Sequence, residues 1–260
     1  MSGGVEPIFV YLIGTAGSGK STLAASFRKW MNQRSLDAIT VNLDPGAEHL
    51  PYEPDVDIRD WISLEEVMET NELGPNGAQV VCADMIALNT GEVQEAIGTF
   101  KPDYILMDTP GQLELFVFRE AGKYTIQFLS PCNAAICYLL DPLLARTASG
   151  FVTQLLLSLT THFRLNQPQI NVLSKADVLS LKELRLVQTW SDDPNELETA
   201  LMTEKASVYR EMNEGILQLL KDVGGYTRLV ASSKEDLKGI EDIYTRIQLQ
   251  FHGGEDLTKD

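Results

Sequence analysis

The chain has 260 residues, 44% of them hydrophobic, and a formal net charge of −16 at pH 7. That much apolar material can fill a sizeable core, which excludes disorder as the default, and the negative charge repels nucleic acid over most of the surface, so no direct nucleic acid binding is expected. Its pattern lacks both a basic leader followed by a long apolar run and an apolar segment of membrane-spanning length, so the expectation is a soluble cytoplasmic protein with no membrane contact.

In chain order, residues 8–13 read as a buried strand and residues 20–31 as a helix. Between them lies Gly14-Thr15-Ala16-Gly17-Ser18-Gly19-Lys20-Ser21, which has the spacing of a Walker A phosphate loop in the setting that motif requires. Gly14 and Gly19 permit a tight turn, so the amides from Thr15 to Ser18 can face phosphate oxygens at the positive end of the following helix. Lys20 is placed to reach the β- and γ-phosphates, Ser21 to offer a hydroxyl to Mg2+, and Thr22 follows on the same turn. The expected ligand is therefore a magnesium-bound nucleoside triphosphate.

Residues 38–43 form a second β-rich run ending in Asp44-Pro45-Gly46. Asp44 is a candidate to hold the attacking water or a magnesium-bound water, and the alternative is a turn cap supported by Pro45 and Gly46. A polar stretch, 48–60, then leads to a helix with Ser63 as cap and Glu66 three residues later. Residues 104–107 read as a strand running into Asp108-Thr109-Pro110-Gly111-Gln112, a D-x-x-G element. Asp108 can hold magnesium through its water shell, Gly111 lets backbone approach the γ-phosphate, and Gln112 can orient water without carrying charge.

Further strands are expected over 134–140, 169–173 and 226–231, with helices between them. The alternation predicts an α/β P-loop NTPase fold, a mostly parallel central sheet flanked by helices, with the ligand beyond the carboxyl ends of the strands. We expect one domain over 1–260, with insertions at about 48–91 and 180–223. Cys82, Cys132 and Cys137 read as buried free thiols, and Trp30, Trp61 and Trp190 as packing groups. The acidic ends of the chain read as solvent-facing.

Base choice rests on Ser174-Lys175-Ala176-Asp177, which resembles the guanine-binding N-K-x-D motif with Ser174 in the asparagine position. Asp177 can accept from guanine N1–H and the exocyclic amine, donors that adenine does not pair in this way. Lys175 can lay its stem over the base. Ser232-Ser233-Lys234 resembles the S-A-K loop that contacts the same base, so GTP is preferred and ATP or mixed use is the alternative.

Gly74-Pro75-Asn76-Gly77 is not needed by a generic GTPase, and reads by itself as a sharp loop. Placed between Asp44 and Asp108, and with the other elements in order along nearly the whole chain, it resembles the insertion of the GPN-loop GTPases, in their compact archaeal form. The resemblance implies a two-fold homodimer in which Asn76 enters the neighbouring subunit's site and contacts phosphate or the attacking water. Thr15 stands where some nucleotide-dimerised relatives carry an additional lysine. The resemblance further implies Mg2+-dependent GTP hydrolysis, with Lys20, Asp44, Gln112 and Asn76 as the catalytic set and Ser21, Asp44 and Asp108 around the metal. It also implies a regulatory or assembly role with RNA polymerase or another multiprotein client. A P-loop small-molecule kinase and a nucleotide-binding scaffold with negligible turnover are the competing readings.

Overall fold

The structure is a computed structural model that describes residues 6–204, 210–234 and 237–253. The chain's acidic ends, expected to face solvent, lie mostly outside those residues. In chain order the described elements are β1 Ile8–Gly14, α1 Lys20–Gln33, β2 Ala38–Asn42, β3 Val56–Asp57, α2 Leu64–Thr70, α3 Pro75–Leu88, α4 Thr90–Gly98 and β4 Tyr104–Asp108. There follow α5 Leu113–Phe116, α6 Glu120–Leu129, β5 Ala134–Leu140, α7 Pro142–Ala145, α8 Ala148–Leu165 and β6 Gln169–Leu173. The last are α9 Leu181–Asp192, α10 Pro194–Thr203, α11 Arg210–Asp222, β7 Val230–Ala231 and α12 Leu237–Phe251.

The seven strands form one sheet in the order β3-β2-β4-β1-β5-β6-β7, and every pairing is parallel. Strands covered on both faces need apolar side chains at every position, which is why β1 and β5 are unbroken hydrophobic runs. The period of two still divides them. Phe9, Tyr11 and Ile13 enter the core layer shared with α3, α6 and α8, while Ile8, Val10 and Leu12 enter the layer covered by α1 and α12. Gly122 lets α6 lie against the chain before it, since a Cβ there would fall 1.9 Å from the Phe116 carbonyl oxygen.

Register fixes the functional edge. Gly14 pairs with Leu139, Leu12 with Asp108 and Asn42 with Asp108, so the loops after β1, β2 and β4 leave the sheet side by side.

Four expectations are corrected. The polar stretch 48–60 contains β3 and a 3-10 turn, Ile58–Asp60, because Val56 and Ile58 are buried while their neighbours hydrogen-bond β2. The strand expected over 226–231 is only Val230–Ala231. Gly74 to Gly77 is no loop but the start of α3, with Gly74 as cap and Pro75 in the first turn, where a missing N–H loses no helical bond. Cys82 and Cys137 are buried thiols, but Cys132 is exposed, since it precedes β5 rather than joining it. Trp30 and Trp190 are buried, with Trp61 packed at the core's margin.

Candidate functional site

The phosphate loop connects β1 to α1 through two left-handed glycines, Gly17 at φ 73° and Gly19 at φ 96°. Gly14 is required by proximity instead: a Cβ would stand 2.7 Å from the Leu139 carbonyl oxygen and from the Ser18 hydroxyl. No side chain caps the N-terminus of α1, so its first amides are available to an anion. Lys20, the first helical residue, is 6% exposed and donates to the carbonyls of Gly14 at 3.0 Å, Thr15 at 3.1 Å and Gly111 at 3.2 Å. Burial lowers its pKa, against the attraction of Asp108 and Asp44. Ser18 is buried with an unpartnered hydroxyl, Ser21 is half-buried, and Thr15 and Ala16 lie toward the open side.

Asp108 ends β4 and is 1% exposed. Burial raises its pKa to about 6, opposed by the nearby Ser21 hydroxyl, by Tyr52 and by the Lys20 charge. Its Oδ2 accepts from the Tyr52 hydroxyl at 2.9 Å, while Oδ1 has no hydrogen-bond partner. Thr109 fixes the turn that follows by donating to the Leu12 carbonyl at 2.7 Å.

Asp44 brings the loops after β2 and β4 together. Its Oδ1 accepts from the Gly46 amide at 2.9 Å and its Oδ2 from the Gly111 amide at 3.0 Å. Burial pushes its pKa up, with those two amides pulling the other way. The carboxylate expected to hold water is thus engaged by backbone amides, and the Gly111 amide expected to meet phosphate is held by Asp44. Gln112 caps α5 and donates to the Gln79 side chain of α3 over a long 3.4 Å.

Residues 44–59 form a strap along this edge, tied at several points. Asn42 donates to the Asp44 carbonyl and to Asp57, Arg59 pairs with Asp57 and donates to the Ala47 carbonyl, and Arg28 grips Asp55 at 2.6 Å and the Glu53 carbonyl at 3.1 Å. His49, Leu50 and Pro51 of the strap line a cavity of about 520 Å3 with Lys20, Ser21, Asp44, Thr109 and Gly111.

A second cavity, about 250 Å3, adjoins the first at Gly19, Thr22 and Lys175. Its walls are Ser174, Lys175 and Asp177 after β6, Ser232, Ser233 and Lys234 after β7, and the first turns of α1. Lys175 has φ 49° and donates from Nζ to the Gly17 carbonyl at 2.5 Å, so its ammonium clamps the phosphate loop while its stem runs along the cavity. Ser174 donates to the Ser18 carbonyl, and the Ala176 amide bonds the Ser232 carbonyl at 3.0 Å, which joins the two base-side loops. Asp177 is exposed in this cavity.

The structure therefore gathers Gly14 to Thr22, Asp44, Asp108, Gln112, Ser174, Lys175, Asp177, Ser232 and Ser233 along one edge. Asn76 is exposed on the first turn of α3 and is not among the residues lining either cavity of its own chain. Sequence reasoning missed Tyr52, Gln79 and the strap network, because none belongs to a short motif, and it gave no role to Thr109 at a variable position of the D-x-x-G element. The one signal was the density of Tyr, Pro, Asp and Arg over 51–60, read only as part of the polar stretch 48–60.

A metal fits this edge only in company. Among the described residues no group of three His, Cys, Asp or Glu could hold an ion alone. The buried unpartnered oxygen of Asp108, near the Ser21 hydroxyl, suits a hard cation that also takes phosphate oxygens and water.

Comparison with known proteins agrees with the geometry. A family profile described as "Conserved hypothetical ATP binding protein" matches residues 12–253. Similar proteins include GPN-loop GTPase 3 of Danio rerio, 29% identical over 95% of this chain and 88% of the relative, and GPN-loop GTPase 3 of Saccharomyces cerevisiae, 35% identical over 83% and 82%. Among solved structures, a GTPase from Pyrococcus abyssi in apo form is 30% identical, covers 94% of this chain and 98% of that one, and superposes with a TM-score of 0.84.

Proposed function

This chain belongs to the GPN-loop GTPase family, and from that membership we propose that it hydrolyses GTP to GDP and phosphate with Mg2+, as a homodimer whose subunits complete each other's sites. The observation that supports this most is a pair of adjoining cavities, one lined by Lys20 and Asp44 with buried Asp108 close to Lys20, the other lined by Asp177.

In this reading the triphosphate lies along the amides of the phosphate loop and the start of α1. Lys20 exchanges its bonds to the carbonyls of Gly14, Thr15 and Gly111 for bonds to phosphate oxygens, which are charged and so bind the ammonium more strongly. Magnesium, when bound, would neutralise charge on the β- and γ-phosphates, with Ser21 and Asp108 as its protein partners. The Gly111 amide turns from Asp44 to the γ-phosphate, and the freed Asp44 carboxylate, with Gln112, orients the attacking water. Asp177 reads the base from the second cavity, with Lys175 and Ser232 framing it.

Asn76 acts in the partner subunit's site, a reading supported by its exposure and its place outside its own cleft. The helices of 180–223 and the strap would carry nucleotide state outward to a multiprotein client such as RNA polymerase, in the cytoplasm, without contacting nucleic acid directly. No described helix is long and apolar enough to cross a membrane.

Single-turnover hydrolysis with no added acceptor, alongside solution mass, tests the proposal. Phosphate release from GTP in preference to ATP is expected, and Asn76→Ala should slow it about 100-fold while GTP affinity holds. A monomer that hydrolyses GTP, or an Asn76→Ala dimer at the parental rate, would defeat the shared site. Transfer only to an organic acceptor would favour a kinase, and no turnover a scaffold.

A further inference from the structure

We propose that Tyr52 is a positioning residue for the magnesium site: its hydroxyl fixes the Asp108 carboxylate so that the free oxygen faces the metal. The proposal rests on the magnesium-dependent reading above and adds to it a residue outside the phosphate-binding motifs.

Asp108 ends a strand, so its Cα is fixed, but a carboxylate can still rotate about its last torsion. Tyr52 removes that freedom by donating to Oδ2 at 2.9 Å. The other oxygen, Oδ1, is buried and without a hydrogen-bond partner, which is the costly condition for an ionised carboxylate unless a cation or its water is the intended neighbour.

The hydroxyl is itself held in place. Tyr52 is partly buried and packs against the core layer that includes Leu23 and Phe27 of α1. On its C-terminal side, Arg28 holds the Glu53 carbonyl, and Asp55 accepts from the Thr40 amide at 2.8 Å. On its N-terminal side, Arg59 holds the Ala47 carbonyl at 2.8 Å. These ties run to α1, β2 and the turn after β3, so the hydroxyl inherits its position from the sheet itself. The three residues before Tyr52 line the phosphate-side cavity, which makes this hydrogen bond a link between the cavity wall and the metal carboxylate. Packing alone would be served equally well by phenylalanine.

Tyr52→Phe keeps the ring and removes only the donor. The measurement is release of a fluorescent GDP as magnesium is titrated, with a parallel titration of nucleotide binding in EDTA. We expect the magnesium concentration that half-maximally slows release to rise about tenfold or more, the usual effect of losing a partner that orients a metal ligand, with nucleotide affinity in EDTA unchanged. Asp55→Asn, which loosens the strap outside the cavity, should move the same midpoint in the same direction by a smaller factor. It also keeps the proposal testable should Tyr52→Phe fail to fold. A parental midpoint in the folded variants, or a lower one showing that the hydroxyl competes with the metal, would overturn the proposal. A parent protein whose nucleotide release ignores magnesium would bring down the magnesium-dependent reading as well, whereas a responsive parent matched by Tyr52→Phe brings down this inference alone.

Discussion

The two ends of the cleft are built on opposite terms. At the phosphate end the charged groups are buried and mostly engaged: Lys20 holds three carbonyls, Asp44 holds two amides, and Asp108, 1% exposed, accepts from Tyr52 with one oxygen and leaves the other unpartnered. At the base end Asp177 stands exposed in an open cavity whose frame, Ser174, Lys175 and Ser232, is tied to the phosphate loop and to itself rather than across the space a ligand would fill. Buried charge must find partners, and these come from nearby backbone for Lys20 and Asp44 and from the Tyr52 hydroxyl for Asp108. An exposed carboxylate such as Asp177 is solvated and needs none. On the proposed reading, a ligand entering the phosphate end would have to exchange bonds already made, whereas one entering the other end would meet a surface already arranged.

Breaking the phosphate end should have the largest effect. Lys20→Ala removes the charge proposed to meet the β- and γ-phosphates, and GTP affinity measured by equilibrium binding should fall roughly 1000-fold. A variant within a few-fold of the parent would mean the carbonyl bonds of Lys20 are its permanent role. At the base end, Asp177→Asn should leave the cleft folded and reduce the preference for GTP over XTP by about 100-fold, read by competition. An unchanged ratio would remove Asp177 from base recognition.

The buried carboxylate also marks the phosphate end in the pH dependence of stability. Asp108 keeps its proton up to about pH 6 in the folded chain, while the unfolded chain releases it near the ordinary carboxyl value. Unfolding between about pH 4 and pH 6 therefore releases a proton, so stability falls as pH rises through that window, by up to about 3 kcal/mol at neutral pH. Thermal midpoints of nucleotide-free protein across that range should show the fall, and Asp108→Asn should lack it. An identical slope in the variant would assign the effect to other groups. The smallest effect is expected where the contact is longest. Gln79→Leu, which breaks the 3.4 Å contact with Gln112, should slow single-turnover hydrolysis only a few-fold.

What was legible in the sequence follows the same division. β5 and β6 match their expected ranges residue for residue, because strands buried on both faces leave an unbroken apolar signal. The loops after β1, β4 and β6 were legible because phosphate and base contacts restrict residue type at fixed spacing. β3 escaped notice because two residues at a sheet edge carry no periodicity, and only pairing with Val41 and Asn42 makes them a strand. Gly74 to Gly77 was read as a loop for the opposite reason. Glycine and proline signal a turn locally, but they also begin helices, and the packing of α3 against α6 decided between the two. Asp44 shows the limit for a site residue: the motif places its carboxylate on the right edge, yet its partners, Gly46 and Gly111, depend on how two loops meet.

By itself, then, the sequence determined the parallel α/β order of elements and the residues at the strand ends, since both are written in local periodicity and spacing. Only the tertiary structure decided that Tyr52 reaches Asp108, that Lys175 clamps Gly17 and that Asn76 is exposed and absent from the lining of its own cleft. Such contacts join residues distant in the chain, and their geometry is set by the sheet register and helix packing that bring them together.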